Sequence, residues 1–425
     1  MSSRFRSAQL ALLSAKAVSG LLGLALLAGT AWGVEGHEEG TIEVDEKLTL
    51  TALGELTRER HPDAAWQAAR DATVTAEQSF ADRWFPDSTQ LSAFHLSDHP
   101  LDNTGMYESE VAVSFPLWMP GEKRSQAQLA EALSASRPSR EAEFHWRVSA
   151  QVRKSLWNLL IARRQWELAM EQEQRLTQVF EQVSIFEDAG DLSRGDRLAV
   201  LQELAIWKAE TMNLEAEYQD SIRTYRSLTG VNAVPADYSE KLNPLHEITD
   251  DHPALQQAFD EVVELSAAVE VVRTRNSFRP SLQLFWRGTR PEDYAPQVSA
   301  LGVGFEVPLG RSPRRGPEVA LASEALARAE GNLLRLKREL DLDLHEAEHL
   351  LHITQRQLEN SEIMLDAATQ RYEMDQLALE LGEISTREWL RRLSEFKDIE
   401  RSHELLLMQR EAAIAAHNQA VGESL

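Results

Sequence analysis

The chain has 425 residues, no cysteine and a formal charge of −24. Lack of cysteine excludes disulfide stapling, thiol catalysis and an N-terminal lipid-bearing cysteine. The acidic balance argues against a nucleic-acid partner, because phosphate binding needs clustered Lys and Arg to displace counterions.

Residues 1–33 read as a secretory signal peptide: Arg4, Arg6 and Lys16 form a basic leader, residues 18–31 are mostly apolar, and Ala31-Trp32-Gly33 is a small-x-small cleavage site. The apolar run is shorter than the ~20 residues of a spanning helix, so export rather than anchoring is expected. Loss of the three basic residues takes the charge from −24 to −27. That value suits a solvated acidic surface or a water-filled conduit favouring cations.

Residues 34–47 read as an extended N-terminal segment, and residues 48–83 as helix interrupted at His61-Pro62. Aromatic-rich Pro sites follow in each half, Trp84-Phe85-Pro86 and Phe278-Arg279-Pro280. Behind them the period changes to two. Tyr107, Val111, Val113, Phe115 and Leu117 alternate with more polar residues, as do Leu301, Val303, Phe305, Val307 and Leu309. Leu282, Leu284 and Trp286 make a third strand, and residues 90–96 a noisier fourth. Each has about the 9 to 11 residues that cross a bilayer when tilted. Four strands cannot close a barrel, since eight is about the smallest number that does; strands that span here require an oligomer. A small soluble sheet beside a helical body is the other reading of the pattern.

Pro116 and Pro308 end the second strand of each half and lie 192 residues apart. Trp118, Lys123 and Arg124 follow the first, and Arg311, Arg314 and Arg315 the second. Cationic and aromatic residues there suit a lipid headgroup region, or simply a wet polar loop. Long helices come next. Phe144, Val148, Val152, Leu156 and Leu159 form a packing stripe, and residues 141–186 would run about 69 Å as a helix. Pro138 and Gly331 predict kinks or short breaks.

The helices turn at Gly190-Asp191-Leu192-Ser193-Arg194-Gly195-Asp196 and again, 192 residues on, at Gly382-Glu383-Ile384-Ser385-Thr386-Arg387-Glu388. Gly supplies a backbone conformation other residues resist, and Ser caps the next helix. Leu198, Leu201, Leu204 and Trp207, and Trp389, Leu390, Leu393 and Phe396, are the expected apolar faces of the return helices. Gly230 and Gly422 close them, again 192 apart, and His252-Pro253 repeats His61-Pro62 at offset 191. The chain thus divides into a first repeat over 48–230 (strands about 87–117, tip 188–196), a linker over 231–250, and a second repeat over 251–425 (strands about 281–309, tip 380–388). The order in each is helix, strand, strand, long helix, tip, helix.

His345-Glu346-Ala347-Glu348-His349, with His352 beyond, matches the H-E-x-x-H spacing of zinc peptidases. It falls inside a long helix, its counterparts at offset 192 are Arg153 and Trp157, and a catalytic zinc needs a further ligand and a cleft. Solvated or packing histidines are the favoured reading, so no metal, cofactor or catalytic residue is assigned. No P-loop, nucleotide fingerprint or triad signature appears, and the chain is not expected to be an enzyme.

Taken together, the two His-Pro sites, Val113-Ser114-Phe115-Pro116-Leu117 and Phe305-Glu306-Val307-Pro308-Leu309, the duplicated Gly-acid-aliphatic-Ser tips and the Leu228-Thr229-Gly230 close resemble the TolC-like outer-membrane efflux channels over essentially the whole mature chain. The basic Pro- and Gly-bearing turns look most like the branch associated with heavy-metal and cation efflux. The resemblance implies a mostly α protein with a small transmembrane β part, in which a homotrimer closes a 12-stranded barrel in outer-membrane lipid, continued by a periplasmic α-helical barrel. It implies two partners, a periplasmic adaptor (membrane fusion) protein and an inner-membrane RND-type pump. By the same resemblance Gly190, Leu192, Ser193, Gly382, Ile384 and Ser385 would receive the adaptor's hairpin tips. Asp196 and Glu388 would form an acidic ring at the aperture; as first-turn acids they also stabilise the helix dipole by under ~1 kcal/mol, and six such carboxylates stacked in a trimer would raise some of their own pKa values. Where some relatives carry a further acid, this chain has Ala199 and Arg391. A periplasmic helical-hairpin adaptor or a structural coiled coil without a pore is the rival reading.

Overall fold

The computed structural model describes residues 41–99, 101–275, 279–307, 309–310 and 313–425. The proposed signal peptide, residues 34–40, Phe278, Pro308 and Arg311 lie outside these.

In chain order the elements are β1 (Glu43–Asp45), α1 (Leu50–Arg60), α2 (Asp63–Ala81), β2 (Gln90–Ser97), β3 (Tyr107–Pro116), α3 (Glu122–Ala135), α4 (Arg137–Ala189) and α5 (Arg194–Thr229). Then follow β4 (Ala233–Pro235), within the expected linker, and α6 (Pro253–Thr274), β5 (Ser281–Arg290), β6 (Val298–Glu306), α7 (Arg315–Glu380) and α8 (Thr386–Ala420). Among the described residues no helix is long and apolar enough to cross a membrane.

Both His-Pro sites act as helix starters, and the mechanism is shared. Nδ1 of His61 accepts from the Asp63 amide, and Nδ1 of His252 from the Ala254 amide, each at 3.2 Å. Proline then sits where a missing N–H costs nothing. Only the first site interrupts a helix, however, because residues 236–252 ahead of the second are not helical.

The expected break at Pro138 is found at Ser136, between α3 and α4. Gly331 does not break α7, which continues for 66 residues. The difference is chemical: proline removes an amide donor and clashes with the preceding turn, whereas glycine costs about 1 kcal/mol and keeps every backbone hydrogen bond. From the sheet towards the tip, α3 and α4 together are about as long as α7, which alone spans about 100 Å at 1.5 Å per residue.

The four long strands form one antiparallel sheet in the order β2-β3-β5-β6. Register places Leu91, Val113, Leu284 and Val303 side by side, and likewise Val111, Trp286 and Leu301. One face of the sheet is therefore apolar. On the other face Arg287 bonds Glu110 at 2.6 Å and meets Glu108 at 3.2 Å. The last strand ends at Glu306, so Leu309 is not part of it as the alternation had suggested. Among the described residues β2 and β6 each have one partner and one open edge.

The expected stripe of α4 is buried throughout, Val148, Val152 and Leu159 completely. It packs with Leu53, Tyr218, Ile222, Tyr225 and Val234 into the largest core cluster. The linker is less free than its composition suggests, because β4 pairs in parallel with β1. A second cluster joins both hairpins near their tips through Leu176, Val183, Val200, Leu204, Trp207, Trp389, Leu390 and Leu393. Leu198 and Leu201 are not in it: they are 48% and 42% exposed, because the buried stripe of α5 runs instead along Val200, Leu204, Trp207, Thr211 and Leu214.

Candidate functional site: the paired helical tips

The two tips have one backbone design. α4 ends with Gly190 at φ +87°, its amide donating to Glu187 O while the Asp191 amide donates to Phe186 O, both at 2.9 Å. α7 ends with Gly382 at φ +72°, with the equivalent bonds from Gly382 to Leu379 O and from Glu383 to Ala378 O. This left-handed close satisfies carbonyls that a helix end otherwise leaves orphaned, and it needs glycine because a Cβ strains that conformation. Among the described residues, nothing beyond the adjoining stretch of chain lies within 4 Å of a Cβ built on either glycine, so the demand is on φ and not on space.

Ser193 and Ser385 then cap α5 and α8, accepting from the amides of Asp196 and Glu388 at 3.2 and 3.3 Å. Gly190, Ser193, Gly382 and Ser385 are exposed. Leu192 and Ile384 are half-buried and pack onto the tip cluster. They hold the turn to the helices beneath it.

The side chains at the sixth position diverge. The Asp196 carboxylate returns to its own cap, accepting from the Ser193 amide at 3.2 Å and from its hydroxyl at 2.6 Å. This is a complete capping box, with both partners satisfied. Glu388 instead accepts from Arg391 at 2.6 Å and from Arg392 at 2.9 Å. Hydrogen bonds from these two guanidiniums hold the Glu388 carboxyl well below the usual range, down to about 2. Within one chain, then, the two guanidiniums act on Glu388 in the direction opposite to the crowding of six acids expected at a trimer's aperture. The cause is legible in hindsight, since the positions 192 residues before Arg391 and Arg392 are Ala199 and Val200.

The arginines reach further. Arg392 also pairs with Asp375, which is 5% exposed, and Arg391 with Glu395. Arg371 approaches Asp375 at 3.7 Å and Glu395 at 3.5 Å. Tyr372 stacks on Phe396 with ring centroids 4.7 Å apart. At the first tip the comparable cross-hairpin tie among the described residues is one pair, Arg197 with Glu187. Between residues 187 and 200 the first tip carries four acids and two arginines, against three and three between 379 and 392.

At the opposite end of the helices, Pro116 closes β3 against Ser281, and the Leu117 amide donates to Pro280 O. Trp118 is fixed: its Nε1 donates to Arg83 O at 3.2 Å, its ring meets Phe80 edge-on, and the Arg279 guanidinium lies 5.9 Å from its centre. Arg279 in turn binds the buried Glu122 at 2.7 Å. Arg124 is exposed, as a headgroup contact requires. His345 and His349 are exposed with stacked rings 6.4 Å apart, and among the described residues they belong to no metal-ligating group.

No protein-family model matches the sequence, and neither does any curated protein. Solved structures do. The outer membrane protein VceC of Vibrio cholerae is similar with a TM-score of 0.71 at 13% identity, covering 88% of this chain and 96% of VceC. CusC, whose structures concern folding and transmembrane channel formation, gives 0.69 at 15%, covering 90% and 94%. The open-state MtrE outer membrane channel of Neisseria gonorrhoeae gives 0.68 at 14%, covering 90% of each chain. At such identity the likeness establishes the fold, and the chain has the TolC-like channel fold.

Proposed function

We propose that the chain is the outer-membrane exit duct of a tripartite efflux system, working as a homotrimer that conducts substrate passively from the periplasm to the exterior. The observation that carries this reading is the sheet: four amphipathic strands with an apolar outer face and two open edges, β2 and β6. In lipid each unpaired backbone group costs several kcal/mol, so a spanning sheet must close on itself. Threefold repetition with β2 of one copy on β6 of the next gives twelve strands and no edge. A soluble adaptor or coiled coil has no use for such a sheet, with Leu301 87%, Leu91 74% and Val303 70% exposed.

The matched helices would then extend into the periplasm as an α-helical barrel and bring six tips to one level. There Gly190, Leu192, Ser193, Gly382, Ile384 and Ser385 would meet the hairpins of an adaptor coupled to an inner-membrane RND-type pump. Asp196 and Glu388 would line the aperture. Pro116, Trp118, Arg124, Pro308 and Arg311 would mark the periplasmic lipid interface. Metal cations or small toxic compounds are the proposed cargo, with selection made at the pump.

A chain without native cysteine permits a direct test. Single cysteines at Phe94 on β2 and at successive positions of β6, combined in one chain and oxidised in outer-membrane fractions, should give covalent dimers and trimers. A soluble monomer that never cross-links would overturn the reading.

A further inference from the structure

Three residues from distant parts of the sequence converge beside the junction of the two repeats. His246 comes from the segment between β4 and α6, Glu348 from α7, and His417 from the last turn of α8. One ligand atom from each lies within 4.8 Å of the other two. His246 Nδ1 is 2.9 Å from Glu348 Oε1, and the two imidazoles meet edge to face at 6.1 Å.

His417 is the informative member. It is 1% exposed, and among the described residues neither ring nitrogen has a hydrogen-bond partner. Native proteins rarely leave such a group unpaired, and when they do it calls for an explanation. Here one nitrogen belongs to the cluster that offers a second imidazole and a carboxylate. Packing fixes the frame: Ala347 beside Glu348, Ala420 one turn beyond His417, Val421 and Leu344 form a small apolar cluster, with Ile248 packed on it two residues from His246. That apolar cluster flanks the two helix-borne ligands and fixes their orientation, while His246 faces solvent.

We propose that His246, Glu348 and His417 form a site for a divalent transition cation, zinc or its neighbours, which staples the inter-repeat segment to α7 and α8. Two imidazoles and one carboxylate are the ligand set of borderline cations, while magnesium and calcium prefer oxygen throughout. Ligand atoms around a tetrahedral zinc stand about 3.3 Å apart. Exposed His246 can close the remaining gap by rotation without disturbing the two helices. Water would complete the coordination. The site uses Glu348 of the His345–His349 segment but neither of that segment's histidines, so the metal function departs from what the motif spacing implied.

The test uses the purified, chelator-stripped full-length protein in detergent, titrated with Co2+ and then with competing Zn2+. One Co2+ per chain is expected, with a visible ligand-field band that Zn2+ abolishes. His246→Ala and Glu348→Gln should each weaken Co2+ binding by at least about tenfold, while His345→Ala with His349→Ala leaves it unchanged. Zn2+ should raise the thermal midpoint of the wild type and not that of His246→Ala. Binding that survives both His246→Ala and Glu348→Gln, or that disappears with His345 and His349 instead, overturns the assignment.

Discussion

His252 makes the fold acid-sensitive at a defined place. The side chain is 1% exposed, caps α6 through Nδ1 and meets Trp146 edge-on at 5.0 Å. A Cβ added at Gly422 would come within 2.8 Å of its ring, so the end of α8 leaves it no room to move. Burial disfavours the imidazolium and pulls the group from 6.5 down to about 4. The native state therefore keeps His252 neutral while the unfolded chain takes up its proton below about pH 6.5. The unfolded state binds more protons across that window, so stability falls as pH drops from 6.5 towards 4 and the contribution is flat below it. Between pH 7 and pH 5 the loss amounts to about 2 kcal/mol per chain. His252→Asn keeps an acceptor for the Ala254 amide and removes the titration. Guanidinium unfolding followed by circular dichroism at pH 7 and pH 5 should show the variant losing about 2 kcal/mol less than wild type over that interval, whatever its stability at pH 7. Parallel losses in the two proteins would refute the reasoning.

Ser193→Ala breaks a reciprocal capping box and should cost the first tip about 1 kcal/mol, read as faster amide hydrogen exchange over residues 194–197; Ser385→Ala, with a one-way cap, should cost less. In planar bilayers Asp196→Asn should reduce cation over anion selectivity more than Glu388→Gln, because two arginines already neutralise Glu388; equal shifts in reversal potential would contradict the geometry. The same pairing means that Glu388 stays ionised from pH 5 to pH 3, so selectivity should show no titration step in that range that Glu388→Gln removes. Glu264 binds Arg140 at 2.9 Å and Arg70 at 2.6 Å, joining α6 to α4 and α2. Arg140 is 5% exposed, so Glu264→Ala strands a buried charge and should destabilise by about 3 to 5 kcal/mol, measured by denaturant unfolding.

What the sequence made legible was periodic or punctuated. Alternation found the strands, four-residue spacing found the buried face of α4, and the Gly-acid-aliphatic-Ser copies found both turns, because each follows from local geometry that the chain cannot disguise. Gly331 misled because glycine permits a break without enforcing one. Leu198 and Leu201 misled because their spacing is helical but points away from the stripe through Val200 and Leu204. The environment of Glu388 was missed although Arg391 and Arg392 stood three and four residues on, the spacing at which helix neighbours meet. The His246, Glu348 and His417 cluster left no trace in any local pattern. Its members are 102, 69 and 171 residues apart, and only the packing of the linker against α7 and α8 brings them together.

The contrast between the tips bears on how the proposed trimer would recognise a partner. Level tips require equal helix lengths, and the repeats comply: α5 has 36 residues and α8 has 35. Nothing in that requirement constrains charge, and charge has diverged, with a net of −2 at the first tip and zero at the second over equivalent residues. In the proposed trimer the aperture is then a ring of six similar backbones with threefold electrostatics, acidic and neutral ends alternating. A hairpin with basic residues would distinguish the two positions even though every glycine close and serine cap looks alike. Shape alone would admit a partner at any of the six gaps between tips. Charge would fix which three are favoured, since opposite charges steer approach while like charges placed together penalise the wrong register.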